Sequence, residues 1–278
     1  MQRKALILLI LSFNFTFGLG SKVYDCFLFL DEFEILDIRL NELSDVVDKF
    51  VLVESVETFR GNYKPLNFLN NQDRYAQFAD KIIHIVVESF STDNPWEREF
   101  FQRNQIMRGL SQCTDKDVIL ISDVDEIIEH NGVASIQAAL QLKRNKYVGV
   151  AHRYHSNFLN SVPGNFWRGT VATTYALLKR YSPQIMRNIK DHVPKVAQGW
   201  HFTWQGGLEH DLYKLASYSH AESDTEEGRE QKRKNAEERH LCSVIPVDET
   251  FPKYVQENQE YFESIGFLLP LPTQKNEL

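Results

Sequence analysis

Three carboxylates stand within four residues, at Asp123, Asp125 and Glu126, directly behind the apolar run Val118 to Ile121. A short β-branched run of this kind predicts a strand buried on both faces of a mainly parallel sheet. In an open α/β sheet, ligands bind beyond the carboxyl ends of the strands. Two carboxylates crowded there repel each other unless a cation lies between them. Hard divalent ions take oxygen ligands and bridge substrate phosphates. Asp123 and Asp125 are therefore assigned to a metal, Mn²⁺ or Mg²⁺, and to a diphosphate. Asp125, further past the strand end, is the more direct ligand.

Four further clusters carry usable groups. Glu54, Thr58, Gly61 and Lys64-Pro65 follow the run Phe50–Glu54 and supply a carboxylate, a hydroxyl, a loop and a cation suited to a nucleotide's ribose and phosphates. Asn94-Pro-Trp-Glu-Arg98-Glu99 opens a helical stretch in which Arg98/Gln102 and Glu99/Arg103 lie one turn apart, so Arg98 and Arg103 can face a diphosphate. Gly199-Trp200-His201-Phe-Thr-Trp204 joins two indoles to an imidazole, and Glu209 follows shortly after. Aromatic faces suit the C–H patches of sugar rings, which assigns Trp200 and Trp204 to an acceptor. The last cluster is Ser217-Tyr-Ser219-His220-Ala-Glu222.

Taken in order, these clusters resemble glycosyltransferase family 17. The resemblance runs from about Val23 to Phe267. It is carried by Tyr24-Asp-Cys-Phe-Leu-Phe, Arg39-Leu-Asn-Glu-Leu, Phe50-Val-Leu-Val-Glu54, Lys81-Ile-Ile-His, Asn94-Pro-Trp-Glu-Arg-Glu, Gln102-Arg-Asn-Gln, Ile121-Ser-Asp-Val-Asp-Glu and Gly199-Trp-His. Where many relatives carry Pro after Asp-x-Asp-Glu-Ile, this chain has Ile128. The resemblance implies a GT-A-like single domain, a nucleotide-sugar donor (UDP-N-acetylglucosamine), a divalent metal and inversion at the anomeric carbon. It also implies a glycan acceptor such as the β-linked mannose of an N-glycan.

Such chemistry needs a metal against the departing diphosphate, a base for the acceptor hydroxyl, and alignment of the two substrates. His201 is the candidate for a further metal or diphosphate contact, with His220 second. Glu209 is the candidate base, with Glu222 second. Two other classes fit parts of the pattern. A dehalogenase-type phosphatase would use Asp123 as nucleophile, although Ile127 stands where that family usually has Thr or Val. A glycan-binding protein without transfer activity would need no metal.

The elements that must position these groups alternate. Strands are predicted at Val23–Leu30, Phe50–Glu54, Lys81–Val87 and Val118–Asp123, with helices from Phe33, over Pro95–Cys113 and over Val133–Leu142. This alternation predicts an α/β fold with a mainly parallel sheet flanked by helices. Beyond Lys146, strands are expected at Tyr147–Tyr154, Thr173–Tyr181 and Gly199–Gln205. An amphipathic stretch follows at Leu208–Ser219, then a charged helix at Thr225–Arg239 and a short helix at Pro252–Phe262.

The whole chain has 278 residues and a formal charge of −7, which argues against a nucleic-acid partner. Residues 1–20 combine Arg3 and Lys4 with an apolar run and small residues, the layout of a secretory signal peptide, with a short signal anchor as the alternative. Residues 21–269 form the expected catalytic domain, with no later segment long and apolar enough to span a membrane. Residues 270–278 form a tail ending Lys275-Asn276-Glu277-Leu278, similar to an endoplasmic-reticulum retrieval signal. The expected location is the endoplasmic-reticulum or Golgi lumen, or the periplasm or cell exterior in a bacterium. Cys26, Cys113 and Cys242 permit one disulfide, with no spacing for a zinc or redox motif. Asn14 in Asn-Phe-Thr is the chain's only N-glycosylation acceptor and falls within the signal segment.

Overall fold

A computed structural model describes residues 20–142 and 144–271. The signal segment apart from Gly20, the Asn14 acceptor and the Lys275–Leu278 tail lie outside the described residues.

The strands are β1 (Val23–Leu28), β2 (Lys49–Ser55), β3 (Ile82–Val87), β4 (Val118–Asp123), β5 (Glu126–Ile128), β6 (Tyr147–Ser156), β7 (Trp167–Thr174) and β8 (Lys195–Thr203). The helices are α1 (Phe33–Leu43), α2 (Asn67–Asn70), α3 (Pro95–Asn104), α4 (His130–Gln141), α5 (Tyr175–Leu178), α6 (Pro183–Asn188), α7 (Leu208–Ser217), α8 (Glu226–Glu237), α9 (Lys253–Glu257) and α10 (Gln259–Ser264). The architecture is α/β, as the alternation of apolar runs predicts.

One eight-stranded sheet runs in the order β3-β2-β1-β4-β7-β6-β8-β5. Its first four strands are all parallel, as expected. The other half adds antiparallel neighbours to a sheet whose pairings are still mostly parallel, as expected. β7 runs antiparallel to both β4 and β6, β6 and β8 are parallel, and β5 is antiparallel to β8. The sheet is therefore mixed, because the second half is built by direct reversals as well as crossovers.

Both faces of the parallel half are buried. Phe27, Phe50 and Leu52 share one core with Leu36, Leu40 and Leu43 of α1. Cys26, Val51 and Val53 point the other way and pack with Ile106 and Leu110. Cys26, Cys113 and Cys242 are all free thiols, so the permitted disulfide is absent. Three other expectations are corrected. The stretch Pro95–Cys113 is α3 followed by a 3₁₀ turn over Gln105–Leu110. Thr173–Tyr181 is the end of β7 followed by α5, the chain leaving the sheet at Thr174. Pro252–Phe262 breaks into α9 and α10 at Asn258.

Two devices fix the turn after β4. Arg39 of α1 is fully buried and pairs with Asp25 of β1 at 2.5 Å. Its Nη1 donates to the carbonyls of Asp123, Val124 and Glu126 at 2.9–3.0 Å, and its Nη2 donates to Ser122 Oγ at 2.6 Å. One guanidinium thus satisfies carbonyls that a two-residue link between strands leaves without ladder partners. The second device is β5 itself, whose Glu126 lies opposite His201 of β8.

Candidate active site

A cavity of about 330 Å³ opens at the carboxyl ends of β1, β2 and β4. Its floor is the Asp123–Asp125 turn, and its walls come from the loops after β1 and β2, from α3, from β8 and from α7. α3 is started by Asn94, whose Oδ1 accepts from the N–H groups of Trp96 and Glu97, with Pro95 at the first helical position. That start phases Arg103 toward the turn. α7 starts after Gly206 and Gly207, at φ +90° and +89°, and turns Lys214 inward.

The carboxylates are already matched by side-chain cations. Asp123 Oδ1 accepts from Arg103 Nη2 at 2.9 Å, and Oδ2 from Arg187 Nη2 at 2.6 Å. Asp125 Oδ2 accepts from Lys214 Nζ at 3.2 Å, and Oδ1 lies 3.4 Å from His201 Nε2. Glu126 is fully buried and takes both Arg187 Nη atoms at 2.6 and 2.8 Å, Trp167 Nε1 at 2.6 Å and the Asp123 N–H at 3.0 Å. Burial alone would raise the Asp125 carboxyl; the charges of Lys214 and His201 outweigh it and hold the group well below the ordinary range. The same contest, with Arg187 winning, holds Glu126 below its range. Burial works against the charged form of Lys214, yet Asp125 and Glu32 hold its ammonium above its ordinary value.

Asp123, Asp125, His201, His220, Thr58, Lys64, Arg103 and Trp204 all line this cavity, so the structure brings these sequence candidates together. Other candidates lie elsewhere. Glu54 is buried beneath the site, accepting the N–H groups of Phe68 and Leu69 at 3.1 Å and contacting His84 at 2.8 Å; it shapes the loop after β2. Arg98 bonds Glu57, Asp93 and the Thr92 carbonyl, bracing the same loop and making no approach to the carboxylate turn. Trp200 points to the opposite face of β8 from His201, into the core, with its Nε1 on the Thr250 carbonyl. Glu209 is exposed and Glu222 is exposed against His220, and neither lines the cavity. Arg187, Lys214 and Glu32 were not singled out from sequence. α6, which carries Arg187, is six residues long and shows no pattern.

Among the described residues no three His, Cys, Asp or Glu side chains form a ready-made metal cage. The donor set nevertheless fits a divalent ion of the kind completed by substrate. Asp125 and His201 face each other across a gap of 3.4 Å, and Mg²⁺-type sites take one or two protein ligands with phosphates and water filling the rest. The carboxylates are balanced by Arg103, Arg187 and Lys214, so the site as it stands carries little uncompensated negative charge.

The family model "Glycosyltransferase family 17" matches residues 16–273. The chain is 25% identical to the β-1,4-mannosyl-glycoprotein 4-β-N-acetylglucosaminyltransferase of Homo sapiens, over 67% of this chain and 41% of that protein. The Rattus norvegicus protein of the same name is also 25% identical, over 67% of this chain and 40% of its own length. The chain thus spans about two fifths of the length of these curated relatives. Among solved structures, one of GalNAc-T7 with UDP, GalNAc and Mn²⁺ superposes with a TM-score of 0.43 and 11% identity, covering 91% of this chain and 59% of that one.

Proposed function

The chain belongs to glycosyltransferase family 17, and from that premise we propose that it is a metal-dependent, inverting glycosyltransferase of GT-A type. It moves N-acetylglucosamine from a UDP-linked donor to a glycan, with the β-linked mannose of an N-glycan as the favoured acceptor. The observation that carries this reading is the Asp123–Asp125 turn at the floor of a cavity lined by Arg103, Lys64 and Lys214, with Arg187 gripping Asp123 from behind. Such a set of fixed cations suits a nucleotide diphosphate.

Each group has a task in this reading. Asp125 and His201 hold Mn²⁺ or Mg²⁺, which when bound neutralises charge on the departing diphosphate. Asp123 keeps Arg103 and Arg187 oriented at the mouth of β4. Lys214 shifts from Asp125 toward the phosphates as the donor enters. Thr58 and Lys64, which line the cavity, take the nucleotide in this reading. Trp204 offers an aromatic face to a sugar ring.

The test is an assay of purified protein across nucleotide-sugars with Mn²⁺ and Mg²⁺, using an N-glycan acceptor. Transfer is expected with UDP-N-acetylglucosamine, is lost in excess EDTA and is restored by added metal. Asp125→Asn should lower turnover by roughly two or more orders of magnitude. Full activity in EDTA would remove the metal from the mechanism.

A further inference from the structure

Five carboxylates line the main cavity: Glu32, Glu57, Glu99, Asp123 and Asp125. Four are engaged by cations. Glu57 pairs with Arg98 at 2.8 Å, Glu99 with Arg103 at 2.8 Å, Asp123 with Arg103 and Arg187, and Asp125 with Lys214. Among the described residues Glu32 alone of the five has no ion pair. Its Oε2 accepts the N–H groups of Leu30 and Asp31 at 3.1 and 3.2 Å, which pins the side chain at the end of β1, while Oε1 makes none of the hydrogen bonds seen.

Glu32 also stands at a junction. A second cavity of about 270 Å³ adjoins the first, and the two share Glu32, Trp204 and Lys214. Of these three only Glu32 can accept a proton while Lys214 remains charged. The second cavity combines aromatic walls, Phe33, Phe202 and Trp204, with the hydrogen-bonding pair Asp31 and His210 at 3.1 Å. His210 Nδ1 is buried without a partner. Trp204 is held at φ +56°, a conformation that a bulky residue adopts only under constraint, with Lys232 Nζ 3.0 Å above its ring. An aromatic platform beside fixed polar groups is what a neutral sugar residue requires.

We propose that the second cavity is the subsite for the acceptor sugar and that Glu32, on the wall it shares with the donor cavity, is the general base. This rests on the transferase reading above. The acceptor hydroxyl oxygen bonds to the anomeric carbon of the donor. The bond from that carbon to the diphosphate oxygen breaks, and its electron pair leaves with the diphosphate. The hydroxyl proton passes to Glu32 Oε1 and then to solvent. Burial favours this role by raising the Glu32 carboxyl, with Lys214 and His210 acting in the opposite direction and Asp31 and Asp125 reinforcing it.

Glu32→Gln tests the base, because the amide oxygen can still accept the Leu30 and Asp31 N–H groups while losing basicity. With UDP-N-acetylglucosamine, Mn²⁺ and an N-glycan acceptor, turnover should fall by roughly two to four orders of magnitude. UDP affinity by calorimetry should stay within about threefold, and the melting temperature should be unchanged. Asp31→Asn and His210→Ala, which touch only the second cavity, should raise acceptor KM about tenfold with donor KM unchanged. Glu32→Gln retaining more than about a tenth of wild-type turnover overturns the base. A rise in donor KM alone for the other two variants overturns the subsite. If Glu32→Gln fails to fold, Glu32→Asp decides the base: it keeps a carboxylate one methylene back, so measurable turnover supports the role, and turnover equal to wild type overturns it. A wild-type protein inactive on every nucleotide-sugar overturns the transferase reading itself, a result distinct from an active wild type with an active Glu32→Gln.

Discussion

Arg187 shows how much of the site depends on one side chain. It is 6% exposed, grips both oxygens of the fully buried Glu126, touches one oxygen of Asp123 and donates to the Gly169 carbonyl. Replacing it with Met leaves Glu126 buried and uncompensated, which typically costs about 3–5 kcal/mol. Urea denaturation of Arg187→Met should show a loss of that order, and the double variant Arg187→Met/Glu126→Gln should recover part of it. A double variant no more stable than the single one would mean that the ion pair is not what Arg187 contributes. None of this was visible in the sequence. Asp123, Asp125, His201 and Arg103 were legible because carboxylates behind a buried strand and an Arg one helical turn from Glu are local patterns. Arg187 acts across 61 residues of chain, and Glu32 reads locally as an ordinary acidic residue before a helix. Lys214 was seen only as part of an amphipathic stretch, since spacing alone does not say which cation turns inward.

At the level of elements, β8 explains why His201 reaches the cavity and Trp200 does not. Gly199, His201 and Thr203 alternate with Trp200 and Phe202, so the two aromatic residues next to His201 face the other side of the sheet, Trp200 into the core and Phe202 between the core and the second cavity. Sequence proximity placed Trp200 beside the sugar; strand periodicity removes it. The parallel half of the sheet was legible because its strands are continuous apolar runs. In the other half β6 and β8 were legible as aromatic-rich runs, but most of β7 and all of β5 were not; the three-residue β5 has no pattern of its own and pairs only with β8. β7 contributes a close approach: a Cβ on Gly169 would lie 2.4 Å from the Glu126 carboxyl carbon. That carboxylate cannot swing aside, being clamped by Arg187, Trp167 and the Asp123 N–H. Gly169→Ala should therefore destabilise by roughly 1–3 kcal/mol, measured by urea unfolding, and should lower activity with it. Gly164→Ala, whose added Cβ would meet the Tyr154 ring at an ordinary 3.5 Å, serves as the near-neutral control.

For the whole molecule, buried titratable groups set the response to acid. His152 and His155 are almost completely buried, and burial lowers them to about 3 and about 4. An unfolded His titrates near 6.5, so between that pH and the folded values the unfolded chain binds more protons. Stability is then fully present above about pH 6.5 and declines as the pH falls through this window. Asp125 and Glu126 are depressed in the fold, so their contribution is present above the ordinary carboxylate range and is lost at still lower pH. The urea midpoint should therefore be lower at about pH 5.5 than at about pH 7.5, before the carboxylates titrate. His155→Gln, whose amide can still reach the Ser161 carbonyl, should shrink that difference. Equal midpoints for the wild type at both values would show that these imidazoles do not control acid stability.

The two-residue link between β4 and β5 has a consequence for assembly. β4 lies inside the sheet and β5 at its far margin, with β7, β6 and β8 between them in the strand order. Adjacent in sequence yet separated by the rest of the sheet, the two strands force the sheet to curl until its margin returns to the end of β4. The Asp123–Asp125 turn is the seam where that closure happens, and it cannot be drawn tight until residues 195–203 have been made and docked. Long-range closure of this kind is slow relative to forming helices or neighbouring strands. An emerging chain therefore carries its acidic motif for some seventy residues before that motif has a partner strand, and the cavity floor is complete only once the C-terminal half of the sheet has docked.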